Sequence, residues 1–304
     1  MKMNRSDAWQ CTSQNEPRGY IQPQSLDELW FHTGTNCNLR CPFCFEGSKP
    51  GDNRLEFLTL ADARRFIDEA LECGVKKFSF TGGEPFVNPE FISILDYALE
   101  HRPCLVLTNA TEPLMNQMTA VLPLRNKPNA LKFRVSLDHP DPDRHDESRG
   151  KGNFRKALAT LGRLSREGFG VSIARLMLPG ENIAAVDRAY APYFNTAGVS
   201  EDITIIKFPE FHLPGSFPDV PEISETCMTR YLNAEQRAAF MCNFSKMIVR
   251  MDGQCGVYAC TLVDDVAGYD LGKTLREAMT QRVLLGHHRC YSCFACGANC
   301  SEKG

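Results

Sequence analysis

The sequence has few of the features that mark membrane, secreted or nucleic-acid-binding proteins. No apolar run approaches the roughly 18 residues that a membrane-spanning helix needs. The N-terminal stretch has neither the apolar segment nor the small-residue cleavage site of a secretion signal. The net charge of −3 provides no basic surplus for binding DNA, RNA or an anionic membrane surface. We therefore expect a cytoplasmic protein without a nucleic-acid or membrane partner.

Cysteine, by contrast, is abundant, with 14 among the 304 residues. In a reducing compartment this number points to metal or redox chemistry rather than to disulfides. Three of the cysteines form a tight group near the start, and eight lie after residue 226. The last four are spaced C-x2-C-x2-C-x3-C. The distribution predicts two metal-handling regions separated by a metal-free middle.

The middle of the chain alternates apolar, strand-like runs with amphipathic, helix-like runs. This pattern is typical of a parallel sheet with crossover helices. Six strand–helix units favour an α/β fold with a partial (β/α)6 TIM-like barrel, and an open doubly wound sheet is the alternative. The predicted strands are 29–34, 76–82, 104–109, 131–138, 171–178 and 203–208. We divide the chain into an N-terminal extension at 1–27, a barrel core at 28–213, and a linker with a small cysteine-rich C-terminal domain at 214–304.

Two helix boundaries can be predicted from their capping residues. Thr59 is placed to cap a helix that closes at Gly74. Asn88 is placed to cap the next helix, with Pro89 at its first position.

Three cysteines lie in the loop after the first predicted strand, at Cys37, Cys41 and Cys44. Ligands of such folds bind at the carboxyl ends of the strands, where this loop begins. Three thiolates at this spacing can hold an iron–sulfur cluster or zinc and leave one metal position open for a non-protein group. An open position is typical of a catalytic site. The alternative is a zinc knuckle completed by His32.

The loop sequence CNLRCPFC, followed one strand later by FTGGEP, resembles the radical S-adenosylmethionine (SAM) superfamily over residues 28–210. The resemblance implies that the three cysteines hold a [4Fe–4S] cluster whose fourth iron is chelated by SAM. It also implies reductive cleavage of SAM to a 5′-deoxyadenosyl radical, which abstracts a hydrogen atom from a substrate. An electron donor such as flavodoxin or ferredoxin supplies the electron.

The resemblance further implies a set of SAM contacts near the cysteine loop. Phe43, just before the third cysteine, matches an aromatic residue that lies by the adenine. The backbone of Gly82 and Gly83 and the carboxylate of Glu84 match the strand end that receives the SAM amino group. Glycine suits this position because a residue without Cβ lets the backbone approach a ligand closely.

Four further SAM contacts are implied at later strand ends. In the stretch SLDHPDPDRHDESRGKGNF, Ser136 and Arg149 match residues that contact the SAM carboxylate or ribose. Arginine suits a carboxylate because its planar fork binds both oxygens. Asn109 and Arg175 lie near strand ends where similar contacts are expected.

The C-terminal region contains a predicted hairpin, with its turn at Asp252-Gly253 and with Cys242 and Cys260 on either side. With the final cysteine cluster it resembles the SPASM/twitch extensions of radical SAM enzymes, which carry auxiliary [4Fe–4S] clusters. One auxiliary cluster is favoured, because the chain ends at Gly304 before the late cysteine of a full SPASM domain; two clusters or a zinc ribbon are the alternatives. The implied metal ligands are Cys242, Cys260, Cys290, Cys293, Cys296 and Cys300.

Cys255 lies on the turn side of this hairpin and is a departure from the family pattern. If it is not a metal ligand, we expect a catalytic thiol beside the active site. A thiol can donate a hydrogen atom to a substrate radical, as a redox-neutral epimerase requires.

The expected function is that of a radical SAM enzyme of oxidoreductase or epimerase type. Only 36 residues precede the first cysteine of the loop, which is too few for a peptide-recognition domain. We therefore favour a small metabolite as the substrate. The alternatives are a maturase that modifies a ribosomal peptide and a non-enzymatic iron–sulfur or zinc sensor.

Overall fold

The computed structural model describes residues 9–178, 180–209, 211–213, 215–264, 266–297 and 300–302. Nearly all of its strands belong to one central sheet, which carries the cysteine loop and the C-terminal hairpin. In chain order the strands are β1 Tyr20–Ile21, β2 Glu28–His32, β3 Lys77–Thr81, β4 Cys104–Thr108, β5 Leu131–Ser136, β6 Gly170–Leu176, β7 Thr204–Phe208, β8 Ser245–Met251, β9 Gln254–Tyr258 and β10 Val283–Leu284.

The helices lie mainly between consecutive strands of the barrel, as crossover connections require. None of the helices in the described residues is long and apolar enough to cross a membrane. In chain order they are α1 Leu60–Glu72, α2 Phe91–Leu99, α3 Glu112–Asn116, α4 Met118–Val121, α5 Pro142–Arg149, α6 Asn153–Arg166, α7 Ile183–Arg188, α8 Ala191–Ala197, α9 Glu225–Arg230, α10 Ala234–Ala238, α11 Met241–Phe244, α12 Leu275–Thr280 and α13 His288–Cys296.

The strands β2 to β7 are parallel and lie side by side in chain order. This arrangement confirms the predicted α/β partial barrel of six strand–helix units. In the described part of the chain the sheet stays open, with β7 and β9 as its edge strands. All six carboxyl ends therefore meet at one rim, where a ligand site is expected.

The C-terminal hairpin continues the barrel sheet. Strand β8 pairs with β2 in parallel, and β9 pairs with β8 in antiparallel orientation. The turn residues Asp252 and Gly253 have φ values of 52° and 73°, as a two-residue hairpin turn requires. The hairpin is thus where the sequence predicts it, but its strands belong to the same hydrogen-bonded sheet as the core.

The caps of α1 are confirmed, whereas α2 begins later than predicted. Thr59 accepts a hydrogen bond from the Asp62 amide, and Gly74, with φ of 81°, follows the end of α1. Helix α2 begins at Phe91, and Asn88 Oδ1 accepts a hydrogen bond from the Glu90 amide at 2.9 Å in the turn before it. The side chain of Asn88 also donates to the carbonyl oxygens of Thr33 (3.1 Å) and Leu58 (2.9 Å). It fastens the loop after β2 to the segment before α1.

A C-terminal segment, residues 300–302, packs against the inner face of the sheet. Arg134 on β5 is paired in register with Ser172 on β6, so the two side chains point to the same face. Both contact the carboxylate of Glu302, with Arg134 Nε 2.9 Å from Oε1. Arg134 also donates through Nη1 to the Cys300 carbonyl oxygen at 2.7 Å. These contacts bring Cys300 to the interior of the barrel.

Candidate functional site

A cavity of about 190 Å³ opens at the rim formed by the strand carboxyl ends. The final residues of five neighbouring strands line it, namely Thr81, Thr108, Ser136, Leu176 and Phe208. Apart from Glu84, the residues predicted for the SAM cluster and its contacts also border it. These are Cys37, Cys41, Phe43, Cys44, Gly82, Gly83, Asn109, Ser136, Arg149 and Arg175.

The three loop cysteines lie near one another on one wall of this cavity. The pKa of the Cys37 thiol is raised to about 12, mainly by burial and in smaller part by the neighbouring Cys41 and Cys44. Burial also raises the pKa of Cys41. Without metal these thiols are neutral, and a bound metal displaces their protons. Three convergent sulfurs beside an open cavity fit an iron–sulfur cluster with one iron left for another ligand.

Gly82 and Gly83 are required by the protein backbone itself, besides bordering the cavity. A Cβ on Gly83 would lie 2.4 Å from the Asn36 carbonyl oxygen and 2.6 Å from that of Thr35. A Cβ on Gly82 would lie 2.7 Å from the Gly34 carbonyl oxygen, which also accepts a 2.9 Å hydrogen bond from the Gly83 amide. The glycines let the end of β3 pack against the start of the cysteine loop.

Glu84, the predicted contact of the SAM amino group, connects two strand ends. Its carboxylate accepts hydrogen bonds from the Asn109 amide and the Thr108 hydroxyl, both at 2.8 Å. The side chain is buried and does not border the cavity. Burial raises its pKa to about 7. Glu84 therefore joins the ends of β3 and β4 behind the site.

Asn109 supports the cysteine loop directly. Its Nδ2 donates to Asn38 Oδ1 at 2.9 Å and lies 3.9 Å from the Cys37 sulfur. Its Oδ1 accepts from the Thr111 amide at 3.0 Å. The residue borders the cavity, but its amide is committed to the loop. Ser136, at the end of the neighbouring strand β5, also borders the cavity.

Arg149 faces the cavity as the sequence predicts, in partnership with Asp138. The guanidinium pairs with both oxygens of the Asp138 carboxylate, with Nη2 3.0 Å from Oδ1. Its central carbon lies 5.8 Å from the centroid of the Phe43 ring. Arg149 thus places a planar cation beside the predicted adenine contact. It also lowers the pKa of the nearby Cys41 thiol, although burial has the larger, opposite effect.

Arg175 borders the cavity, but its side chain does not serve it. Ala174 pairs in register with Ser136, so Arg175, the next residue, points to the opposite face of the sheet. There its guanidinium pairs with Glu181 at 2.6 Å and with Asp187 on α7 at 2.8 Å. Strand alternation thus directs this side chain to the helix layer, away from the cavity in which the SAM contact is predicted.

His32 does not complete a zinc knuckle with the loop cysteines. Its Nε2 lies 3.3 Å from Glu46 Oε2 and 3.6 Å from Asp264 Oδ2. Its Nδ1 accepts a hydrogen bond from the Gly34 amide at 3.2 Å. Both ring nitrogens therefore have partners other than the cysteines.

Four other cysteines line a second, apolar pocket. Two come from the ends of the hairpin and two from α13. Cys242 precedes β8 and Cys260 follows β9, so both lie at the base of the hairpin. Cys290 and Cys293 lie one turn apart on α13. Burial raises the pKa of Cys242 to about 12. Four convergent thiols in an apolar pocket match the ligand set of one [4Fe–4S] cluster.

Cys296 and Cys300, both predicted as ligands, lie outside this set. Each step of three residues turns an α-helix by about 60° from its starting face, so Cys296 is turned away from Cys290. It is exposed at the end of α13. Gly297, with φ of 63°, ends the helix. Cys300 borders the first cavity, and it also lies close enough to Cys260 and Cys293 to raise the pKa of both thiols, in addition to the larger effect of burial.

Cys255 is also placed differently from the prediction. It lies buried on β9, and burial raises its pKa to about 12, with Asp62 and Arg250 as charged neighbours. It borders neither the first cavity nor the four-cysteine pocket. The hairpin turns this thiol toward the start of α1, so we do not count it among the catalytic residues.

Three cavity residues were missed or misassigned from the sequence: Arg134, Asp138 and Cys300. Alternation along β5 is a usable signal, since Arg134, Ser136 and Asp138 are two residues apart. The spacing of the C-terminal cysteines does not indicate that Cys300 borders the first cavity.

Comparison with known proteins places this arrangement in a family. The family model "Radical SAM superfamily" matches residues 31–191. The subtilosin biosynthesis protein AlbA of Bacillus subtilis is 33% identical over 146 residues, 47% of this chain and 32% of AlbA. The mycofactocin maturase MftC of Mycolicibacterium smegmatis is 28% identical over 151 residues, 50% of this chain and 37% of MftC.

A further curated relative has a different activity in its name. The GTP 3′,8-cyclase of Microcystis aeruginosa is 30% identical over 176 residues, 53% of this chain and 51% of the cyclase. The chain thus spans about a third to a half of the length of the curated relatives it matches.

Among solved structures, SuiB of Streptococcus suis bound to S-adenosylmethionine shares the fold. Its TM-score is 0.62 at 15% identity, covering 86% of this chain and 67% of SuiB. SuiB bound to the precursor peptide SuiA matches with a TM-score of 0.60 at 16% identity, covering 88% of this chain and 66% of SuiB. The family match spans 161 of 304 residues, and it contains the cysteine loop, the glycine-rich strand end and Arg149. The chain belongs to the radical SAM superfamily.

Proposed function

We propose that Cys37, Cys41 and Cys44 hold the [4Fe–4S] cluster of a radical SAM enzyme and that SAM binds in the adjoining cavity. The observation that carries this proposal is the convergence of three thiols at a cavity bordered by five strand ends. When bound, the cluster and SAM supply a 5′-deoxyadenosyl radical that abstracts a hydrogen atom from the substrate. A reduced flavodoxin or ferredoxin is the expected electron donor.

The protein residues provide binding, orientation and shelter for that chemistry. Phe43 offers an aromatic face, and Arg149, fixed by Asp138, offers a cation for a carboxylate or ribose oxygen. Ser136 offers a hydroxyl at the end of β5. Phe208 and Phe211 add apolar surface near the open edge of the sheet, which excludes water.

The second cysteine set supports one auxiliary [4Fe–4S] cluster, held by Cys242, Cys260, Cys290 and Cys293. The set has no cysteine to spare for a second cluster, because Cys296 is exposed and Cys300 borders the first cavity. An auxiliary cluster can accept the substrate electron in an oxidation, so we propose dehydrogenation as the net outcome. Epimerisation, which needs a hydrogen-atom donor in place of an electron acceptor, is the alternative.

We propose a peptide as the substrate, which replaces the small metabolite favoured by the sequence. The preference for a metabolite relied on the short segment before the cysteine loop. The relatives AlbA and MftC are named for bacteriocin biosynthesis and for maturation, and SuiB has been solved with its precursor peptide. The GTP 3′,8-cyclase keeps a small-molecule substrate as the second candidate.

SAM cleavage tests the core of the proposal. Anaerobically reconstituted protein with dithionite and SAM should form 5′-deoxyadenosine, and Cys37→Ala should form none. Cys73→Ala is the matched control, because Cys73 follows α1 and borders no part of the cavity. Equal 5′-deoxyadenosine from the wild type and Cys37→Ala would refute the assignment.

The substrate class needs a separate experiment. Short peptides encoded beside the gene should be converted, with a loss of two hydrogens or with deuterium incorporation from heavy water, as read by mass spectrometry. GTP and amino acids serve as comparison substrates. Conversion of GTP or another metabolite, with every peptide unchanged, would overturn the peptide proposal in favour of the second candidate.

A further inference from the structure

Arg134 lies at the floor of the cavity with one nitrogen uncommitted. The side chain is fully buried on β5. Its Nε donates to Glu302 and its Nη1 to the Cys300 carbonyl oxygen. Among the described residues, Nη2 has no hydrogen-bond partner. A buried donor left unpaired is unfavourable, so this nitrogen is suited to bind an acceptor from outside the chain.

The charges around Arg134 favour an anion as that acceptor. Lys132 pairs with Glu302, and Lys77 lies 3.3 Å from Glu28. Three cations on the inner face, Arg134 included, thus share two carboxylates. Within this group one positive charge remains, and Arg134 is its fully buried member. Glu46 also borders the cavity, but the unpaired nitrogen belongs to Arg134. A carboxylate suits this nitrogen because a guanidinium binds carboxylates with strong, charge-assisted hydrogen bonds.

Cys300 lies beside Arg134 and offers a way to probe this floor. The two residues are linked by the 2.7 Å hydrogen bond and border the same cavity. Glu302, two residues on, fastens the segment to β5 and β6. The thiol lies close enough to Arg134 for the guanidinium to lower its pKa, although burial, the largest cause, raises it.

We infer that Arg134 and Cys300 form a subsite on the inner face of the barrel that binds a carboxylate of the substrate. The substrate assignment rests on the proposed function. In a peptide, an acidic side chain or the C-terminal carboxylate supplies this group. The SAM carboxylate is the other possible source, and the test below separates the two.

Alkylation of Cys300 in the reconstituted protein tests the subsite. Iodoacetate and iodoacetamide differ only in carrying a carboxylate or a neutral amide, and both transfer their carbon to the thiolate with release of iodide. Rates are measured by peptide mapping. The exposed Cys296 of the same chain is the reference. We expect the iodoacetate-to-iodoacetamide rate ratio at Cys300 to exceed that at Cys296 by about tenfold, as one charge-assisted hydrogen bond provides.

Two comparisons assign the preference to Arg134. In Arg134→Gln the ratio at Cys300 should fall to that at Cys296, and Arg134→Lys should retain part of it. Because Arg134→Gln could impair folding, the wild type provides an independent measurement. Excess propionate should slow labelling of Cys300 by iodoacetate at least several-fold, whereas propionamide should not.

Equal ratios at the two cysteines, or no labelling of Cys300 by either reagent, would overturn the subsite. Loss of the preference on adding SAM, with labelling by iodoacetamide retained, would assign Arg134 to SAM and overturn the substrate assignment. The same preparations are assayed for 5′-deoxyadenosine. If Cys300 prefers iodoacetate but no 5′-deoxyadenosine forms, the proposed function alone is refuted. If 5′-deoxyadenosine forms but Cys300 shows no preference for iodoacetate, the subsite alone is refuted.

Discussion

The residues that follow β3 hold the cysteine loop in place. The Gly83 and Glu84 amides donate to the Gly34 and Asn36 carbonyl oxygens, at 2.9 and 3.1 Å. The Glu84 carboxylate then fixes the Asn109 amide, and Asn109 reaches Cys37. A chain of direct contacts therefore connects two strand ends to the first predicted cluster ligand.

Gly83→Ala should destabilise the protein and empty the first cluster site. The added Cβ would lie 2.4 Å from the Asn36 carbonyl oxygen, a backbone atom that cannot move without displacing the loop. We expect a loss of about 2–4 kcal/mol in unfolding free energy and a fall in bound iron from about eight to about four atoms.

Gly170→Ala is the matched control for this substitution. Its Cβ would meet only the flexible Lys132 side chain, at 3.3 Å. Urea unfolding and iron analysis should leave Gly170→Ala close to the wild type. A Gly83→Ala protein with wild-type stability and iron content would show that the close contact does not position the loop.

Stability should fall with rising pH because of Glu84. Burial raises its pKa from 4.5 to about 7 in the folded protein. In this range the folded protein binds the proton that the unfolded chain releases, so the free energy of unfolding decreases as pH rises. Between pH 5.5 and 8 the wild type should lose about 2 kcal/mol more than Glu84→Gln. Urea titrations at both pH values measure this; parallel pH profiles would contradict it.

At the scale of elements, α13 decides which C-terminal cysteines bind metal. Two of its cysteines, Cys290 and Cys293, face the base of the hairpin. The third, Cys296, lies on another face of the helix and is exposed to solvent, and Gly297 ends the helix. The spacing C-x2-C-x2-C-x3-C gives no hint of this division until the residues are placed on a helix.

Iron content tests the division. Cys293→Ala should lose about four irons per chain, whereas Cys296→Ala and Cys300→Ala should keep about eight. The three substitutions are chemically identical, so they control for one another. Loss of iron in Cys300→Ala would make Cys300 a ligand and contradict its assignment to the first cavity.

Prediction from sequence was most successful for regular elements and for local motifs. All six barrel strands and the hairpin turn at Asp252-Gly253 lie where alternation and turn chemistry indicate. The cysteine loop was found because its ligands are neighbours in sequence. The direction of the Arg175 side chain was not predicted, because one residue of strand register reverses it. The surroundings of Cys255 and Cys300 were not predicted either, because they come from distant parts of the chain.

At the scale of the molecule, the two cysteine sets lie at opposite ends of neighbouring strands. Cys37 follows the carboxyl end of β2, and Cys242 precedes the amino end of β8. These strands are parallel, with Glu28 paired to Ser245. At about 3.3 Å per residue the intervening strand is ~15 Å long. Cys300 lies between the two sets, since it borders the first cavity. It is also close enough to Cys260 to raise the pKa of that thiol, although burial is the main cause of the shift.

The central claim is that one chain holds two iron–sulfur clusters and that SAM contacts only one of them. Iron analysis combined with EPR of the dithionite-reduced, anaerobically reconstituted protein, with and without SAM, tests it most directly. We predict about eight irons per chain and two cluster signals, of which SAM changes one. That signal should be missing in Cys41→Ala, while the other remains. A chain that binds zinc in place of iron, or cluster signals that SAM leaves unchanged, would contradict the account.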